Sequence, residues 1–87
     1  MSTTQLEELE TRIRSVLRDH GRLNLDAQQL GMDADLYQSG MTSHASVNVM
    51  LALEGAFDIE FPDHLLKRSV FSSIDSIRQA LAGLITA

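Results

Sequence analysis

One stretch limits what this chain can become. From Ser43 to Phe57 it reads Ser-His-Ala-Ser-Val-Asn-Val-Met-Leu-Ala-Leu-Glu-Gly-Ala-Phe, with no lysine or arginine and Glu54 as the one acidic residue. Thr42 is placed to cap a helix over residues 43–57, with Ser43 as its first residue and Gly40 in the turn ahead. At about 3.6 residues per turn, Ser46, Val49, Met50, Leu53 and Phe57 share one face. Val47, Leu51 and, less squarely, His44 share another, edged by Asn48 and Glu54. A helix apolar on two faces must be covered twice. A chain of 87 residues has one core to offer, so the second face is expected to meet a partner.

The rest of the chain reads as further helices around that one. Leu6, Leu9, Ile13, Val16 and Leu17 recur at helical spacing and predict a first helix over residues 4–20. Thr3 or Thr4 caps it, Glu7 and Glu8 occupy its first turn, and Gly21 stops it. Residues 21–41 lack a long periodic segment. Leu23, Leu25, Leu30, Met32 and Leu36 are expected to anchor this loop to the core, with a short turn over residues 26–30. Pro62 suits the first turn of a short helix over residues 63–68, carried by Leu65 and Leu66. Ser72 is expected to cap a last helix with Asp75 in its first turn, Ile74, Ile77, Leu81 and Leu84 as its buried stripe, and Gly83 near its end. The fold class is therefore all-α: a small four-helix bundle, three main helices plus one short helix, with a long first loop, forming one domain over residues 1–87.

Composition excludes several functions. There is no cysteine, hence no disulfide and no thiolate metal site. A net charge of -5 argues against nucleic acid and anionic membranes as partners. No run approaches the roughly 20 apolar residues of a membrane span. The acidic start Met-Ser-Thr-Thr-Gln-Leu-Glu-Glu lacks the apolar segment of a secretory signal, so a cytoplasmic protein is expected. Asp33-Ala34-Asp35 resembles the opening of a calcium loop but lacks the later ligands, and reads as loop-solvating carboxylates. His20, His44 and His64 are not at metal-ligand spacing. Ser43 and His44 invite a nucleophile-base reading, but helix neighbours point about 100° apart and do not face each other. No catalytic residue is expected. Ser43 is better suited to be a substrate: the free N–H groups and positive dipole end of a helix start favour an attached phosphate. The commoner role of such residues is simply to cap.

Gly40, Ser43, Ala52-Leu53-Glu54, Phe57 and Ile59-Glu60-Phe61-Pro62-Asp63 stand at the offsets seen in acyl carrier proteins, and the chain resembles that family from about Leu6 to Leu84. The family's motif is Gly-x-Asp-Ser-Leu, followed by a helix, an aromatic residue and an Ile-x-Ile-Pro-Asp-like segment. The resemblance implies a non-enzymatic carrier. Its Ser43 would receive 4′-phosphopantetheine from coenzyme A through a phosphopantetheinyl transferase, and its arm would hold a thioester-linked cargo. It also implies a partner-facing side made of Thr42, His44, Val47, Asn48, Leu51 and Glu54, with Val49, Met50, Leu53 and Phe57 in the core. Thr42 and His44 depart from the family's Asp and Leu. Fatty-acid-type carriers usually bear several acidic residues on this helix; here only Glu54 remains, so docking through Val47 and Leu51 is expected to depend weakly on salt.

The stretch from Thr42 to Glu54 and the Phe57 to Asp63 segment are most similar to a narrower group, the stand-alone aminoacyl carrier proteins. These are loaded by amino acid:carrier protein ligases that resemble a seryl-tRNA synthetase core, and a downstream acceptor enzyme takes the amino acid. That group implies a small amino acid as cargo; a monomer is expected because the exposed apolar strip is narrow and has a partner to meet. A carrier for fatty or polyketide acyl groups is the alternative within the class. From outside it, an unmodified helical adaptor docking through Val47 and Leu51 is the other reading.

Overall fold

The computed structural model describes residues 3–24 and 26–86, without the side chains of Thr3 and Thr86. Three α-helices form among the described residues: α1 (Thr3–His20), α2 (Ser43–Phe57) and α3 (Ile74–Thr86). Each presents a narrow apolar stripe. Leu9, Ile13 and Leu17 of α1, Ala45, Val49 and Leu53 of α2, and Ile74, Ile77 and Leu81 of α3 are all buried in one cluster. Their spacings of three and four residues place each set on a single side. Helix α1 packs against both α2 and α3. Burying each Leu, Ile or Val side chain contributes about 1.5–3 kcal/mol before chain entropy is set against it. No strand occurs among the described residues, and none of their helices is long and apolar enough to cross a membrane.

The expected short helix over residues 63–68 is instead two 3₁₀ turns, Asp63–Leu65 and Arg68–Phe71. Between them Leu66 leaves the helical region (φ -84°, ψ 65°) and Lys67 is extended. The reason lies at the two ends. Phe61 and Phe71 are both buried and meet edge to face with centroids 5.4 Å apart. The chain leaving Phe61 must double back to bring Phe71 into that contact, which one continuous helix would not do. Leu65 packs on the core, whereas Leu66 is 47 % exposed.

Other helix ends differ from expectation by a residue or more. Ser73, not Ser72, caps α3: its Oγ accepts from the Ser76 N–H and its own N–H donates to Ser76 Oγ, both at 3.1 Å. Ser72 belongs to the preceding turn, where its carbonyl accepts from the Leu36 N–H at 2.7 Å. Helix α1 already runs at Thr3, so Thr4 lies inside it and Glu7 and Glu8 fall beyond its first turn. Its cap position lies outside the described residues, as does Leu25. Leu84 is half-buried against the core and completes the α3 stripe only partly.

The long loop is held from several sides. Leu30 and Leu36 are buried as expected, Leu23 and Met32 are half-buried, and Ala27 and Met41 join the core unforeseen. The turn near residues 26–30 closes with the Gln29 N–H donating to the Asp26 carbonyl at 2.9 Å. Arg14 reaches from α1 to clamp it. Its Nη1 donates to the carbonyls of Ala27 and Leu30, each at 2.7 Å, while Glu10 holds the other side of the guanidinium. The Asp75 N–H donates to the Met32 carbonyl at 2.8 Å, fixing the loop to the start of α3. Asp35 caps backbone N–H groups of Tyr37 and Gln38, and no metal-type cluster is present among the described residues.

Candidate functional site

The turn that delivers Ser43 is built on Gly40. Its φ of 113° is unfavourable for any residue with a Cβ, and a Cβ there would sit 2.9 Å from the Asn24 side chain. Met41 is buried and anchors the segment just before the helix. Thr42 then turns the chain into α2. It is extended (φ -81°, ψ 166°), and its Oγ1 accepts from the Ala45 N–H at 3.0 Å. This is the expected cap.

Ser43 is the first residue of α2 and is exposed. Among the described residues no hydrogen bond engages its hydroxyl. Its carbonyl accepts from Ser46 Oγ at 2.7 Å. The first turn holds no acidic residue to offset the positive end of the helix dipole beside that hydroxyl. His44 is exposed, and no hydrogen bond joins it to Ser43 among the described residues. The pair therefore lacks the contact that activates a nucleophile. What remains is a reachable primary hydroxyl in a setting that favours an anion, which fits attachment of a phosphodiester at Ser43 Oγ.

The two faces of α2 separate cleanly. Val49 and Leu53 are fully buried, whereas Val47 is 50 % and Leu51 55 % exposed. Met50 and Phe57 are half-buried against the core. Ser46 is not in the core, as its position on the projection had implied; the smaller Ala45 fills that place and is buried. Thr42 is exposed and Asn48 half-buried. Glu54 is half-buried and turned to structural use: its Oε2 accepts from the Phe61 N–H at 2.8 Å, and its carbonyl accepts from the N–H groups of Asp58 and Ile59. Asp58 adopts the left-handed conformation that ends the helix.

A groove of about 280 Å³ opens beside Ser43. Ser43, Ser46 and Val47 form one wall; Leu66, Lys67 and Arg68 form the other. The Arg68 guanidinium lies 3.8 Å from the centroid of the Tyr37 ring. Sequence reasoning missed this second wall. The available signal was composition: Lys67 is the only lysine, and Lys67-Arg68 the only adjacent basic pair, in a chain of net charge -5. Another groove, about 360 Å³, is lined by Leu9, Arg12, Phe57 and Ile85 at the far end of α2. At roughly 1.5 Å per residue it lies about 20 Å from Ser43 along the helix.

Residues 11–82 match the family described as "Phosphopantetheine attachment site". The chain is 46 % identical over 69 residues to the aminoacyl carrier protein of Agrobacterium fabrum, covering 79 % of this chain and 83 % of that one. Among solved structures, it is similar to a chain in the complex of an engineered Bradyrhizobium japonicum glycine:carrier protein ligase with carrier protein from Agrobacterium tumefaciens and AMP. That match has a TM-score of 0.82 at 44 % identity and covers 84 % of this chain and 97 % of that one. It is also similar to a chain in the B. japonicum ligase complexed with glycylated carrier protein, with a TM-score of 0.72 at 26 % identity and the same two coverages, 84 % and 97 %.

Proposed function

Since the chain belongs to the phosphopantetheine-attachment family, and within it to the aminoacyl carrier proteins, we propose that Ser43 is its attachment site and that the arm presents an activated small amino acid, such as glycine, to partner enzymes. The carrying observation is the state of Ser43. It is exposed, its hydroxyl is unengaged among the described residues, and it stands at a capped helix start with no acidic residue in the first turn. Bound there, phosphopantetheine supplies the thiol on which a thioester forms. The chain's own residues hold and present it; they perform no catalysis. Thr42 fixes the start of α2, and His44, Val47, Asn48, Leu51 and the edge residue Glu54 line the side from which partners approach.

Three kinds of partner follow: a phosphopantetheinyl transferase, an amino acid:carrier protein ligase with a core like that of seryl-tRNA synthetase, and a downstream acceptor. The ligase complexes of similar chains support the amino-acid cargo over fatty or polyketide groups. The chain is read as one monomeric carrier domain acting in the cytoplasm. Tethering raises the local concentration of cargo at each enzyme without demanding tight binding.

Intact-protein mass spectrometry tests the reading. Incubation with coenzyme A and a broad-specificity transferase is expected to add one phosphopantetheine to the wild type and none to Ser43→Ala. Adding glycine, ATP and the B. japonicum glycine:carrier protein ligase is then expected to add a glycyl group. A modified Ser43→Ala protein, or an unmodified but folded wild type, refutes the assignment.

A further inference from the structure

Among the described residues, four large apolar side chains are markedly exposed: Val47, Leu51, Leu66 and Ile85. Three of them border the Ser43 side of the molecule. Val47 and Leu66 line the groove next to Ser43, and Leu51 follows Val47 by one turn of α2. The charges around them run against the balance of the chain. The open side of α2 offers no carboxylate except Glu54, whose Oε2 already accepts from the Phe61 N–H. Lys67 and Arg68 are exposed at its edge. The ion pairs among the described residues are Arg14–Glu10, Arg18–Asp19 and Arg78–Asp75, so neither Lys67 nor Arg68 is neutralised by one.

From this arrangement we propose that the partner docking beside Ser43 is an enzyme surface with an apolar centre and carboxylates at its edge, the carboxylates pairing with Lys67 and Arg68. The proposal rests on the carrier reading of Ser43 and specifies the partner of that site. Val47, Leu51 and Leu66 supply the apolar contact. Lys67 and Arg68 supply orientation and encounter rate, which is what charges at an interface rim do best. Arg68 is pre-positioned by stacking on Tyr37, so less side-chain freedom is lost when it pairs. A second copy of the chain fits less well. In a two-fold contact the patch meets itself, and its groove lining holds no carboxylate to pair with Lys67 and Arg68. Nucleic acid is opposed by the net charge of -5. Helix α2 by itself implies docking that salt hardly affects; the cations brought to its edge reverse that expectation.

The test uses the phosphopantetheinylated chain, its mass verified, with the B. japonicum glycine:carrier protein ligase, glycine and ATP. Failure of the wild type to take up phosphopantetheine would refute the carrier reading itself, and a modified wild type that is not glycylated would refute the amino-acid cargo. With the wild type loaded, Lys67→Glu/Arg68→Glu is expected to raise the KM for carrier about tenfold with kcat little changed. Rising salt should raise the wild-type KM and, by screening the repulsion between the new glutamates and the partner carboxylates, lower that of the double variant. Lys67 being the only lysine, a carbodiimide should condense its Nζ with a ligase carboxylate, losing water and forming an amide that peptide mapping locates. Lys67→Arg keeps the charge and should hold the KM well below that of the double variant, yet lose that cross-link. Equal KM values and equal salt responses for wild type and double variant would overturn the proposal. So would a Lys67 cross-link that joins two copies of the chain and none to the ligase.

Discussion

Replacing Gly40 by alanine and, separately, Gly55 by alanine makes the same chemical change in two settings with opposite expected signs. At Gly40, φ is 113°, a region that costs a residue with a Cβ about 1–3 kcal/mol. The added carbon would also meet Asn24 Cγ and Nδ2 at 2.9 Å and the Asn24 backbone N at 3.1 Å. The Asn24 side chain can rotate away. Its backbone cannot retreat freely, because that N–H donates to the Ser39 carbonyl at 2.8 Å. Strain and a weakened hydrogen bond together come to about 3 kcal/mol. At Gly55 a Cβ meets nothing within 4 Å, and the residue lies inside α2. Alanine there should stabilise by about 0.5–1 kcal/mol through helix propensity and a less flexible unfolded chain. For a domain of this size, thermal unfolding followed by circular dichroism should show Gly40→Ala about 15 °C lower and Gly55→Ala about 4 °C higher than wild type. A Gly40→Ala midpoint within a few degrees of wild type, or an equal fall in both variants, would show that the turn before Ser43 does not depend on this backbone conformation.

Arg14→Met keeps the aliphatic stem but removes the donors to Ala27 and Leu30, and should lower stability by about 2 kcal/mol in chemical denaturation. Amide exchange should rise first in residues 26–31. Val47→Asp alters a half-exposed position and should shift stability by less than about 0.5 kcal/mol while sharply slowing glycylation by the ligase; a steep loss of stability would show that Val47 is packed. The hydrogen bond from Arg78, opposed by desolvation and aided by Gln79, holds the Asp75 carboxyl below its usual value. A lowered carboxyl stabilises the fold above its unfolded pKa and loses that contribution as pH falls through the folded value. Asp75→Asn should therefore be less stable than wild type at neutral pH, and the two curves should converge below about pH 4; a gap unchanged at acid pH would argue against this ion pair.

The three main helices are legible from local pattern alone, because their apolar stripes repeat at helical spacing and each stripe is sufficient to bury one side. So is the doubly apolar character of α2, since fifteen residues with one acid and no lysine or arginine leave no polar face. Thr42 as cap was legible for the same local reason: capping is settled within three residues of chain. Tertiary structure decided what depends on distant neighbours. The Phe61–Phe71 contact split the expected short helix into two turns, and Ser76 moved the α3 cap to Ser73. Nothing in the sequence pairs Arg14 with the long loop; only folding brings two loop carbonyls to it. Glu54 reads as a surface acid until the chain returns at Phe61. Lys67 and Arg68 lie more than twenty positions from Ser43 in sequence, and no periodicity links them. The link between α2 and α3 sets them across a groove from it, so the charge of the site, unlike its apolar face, was fixed by packing alone.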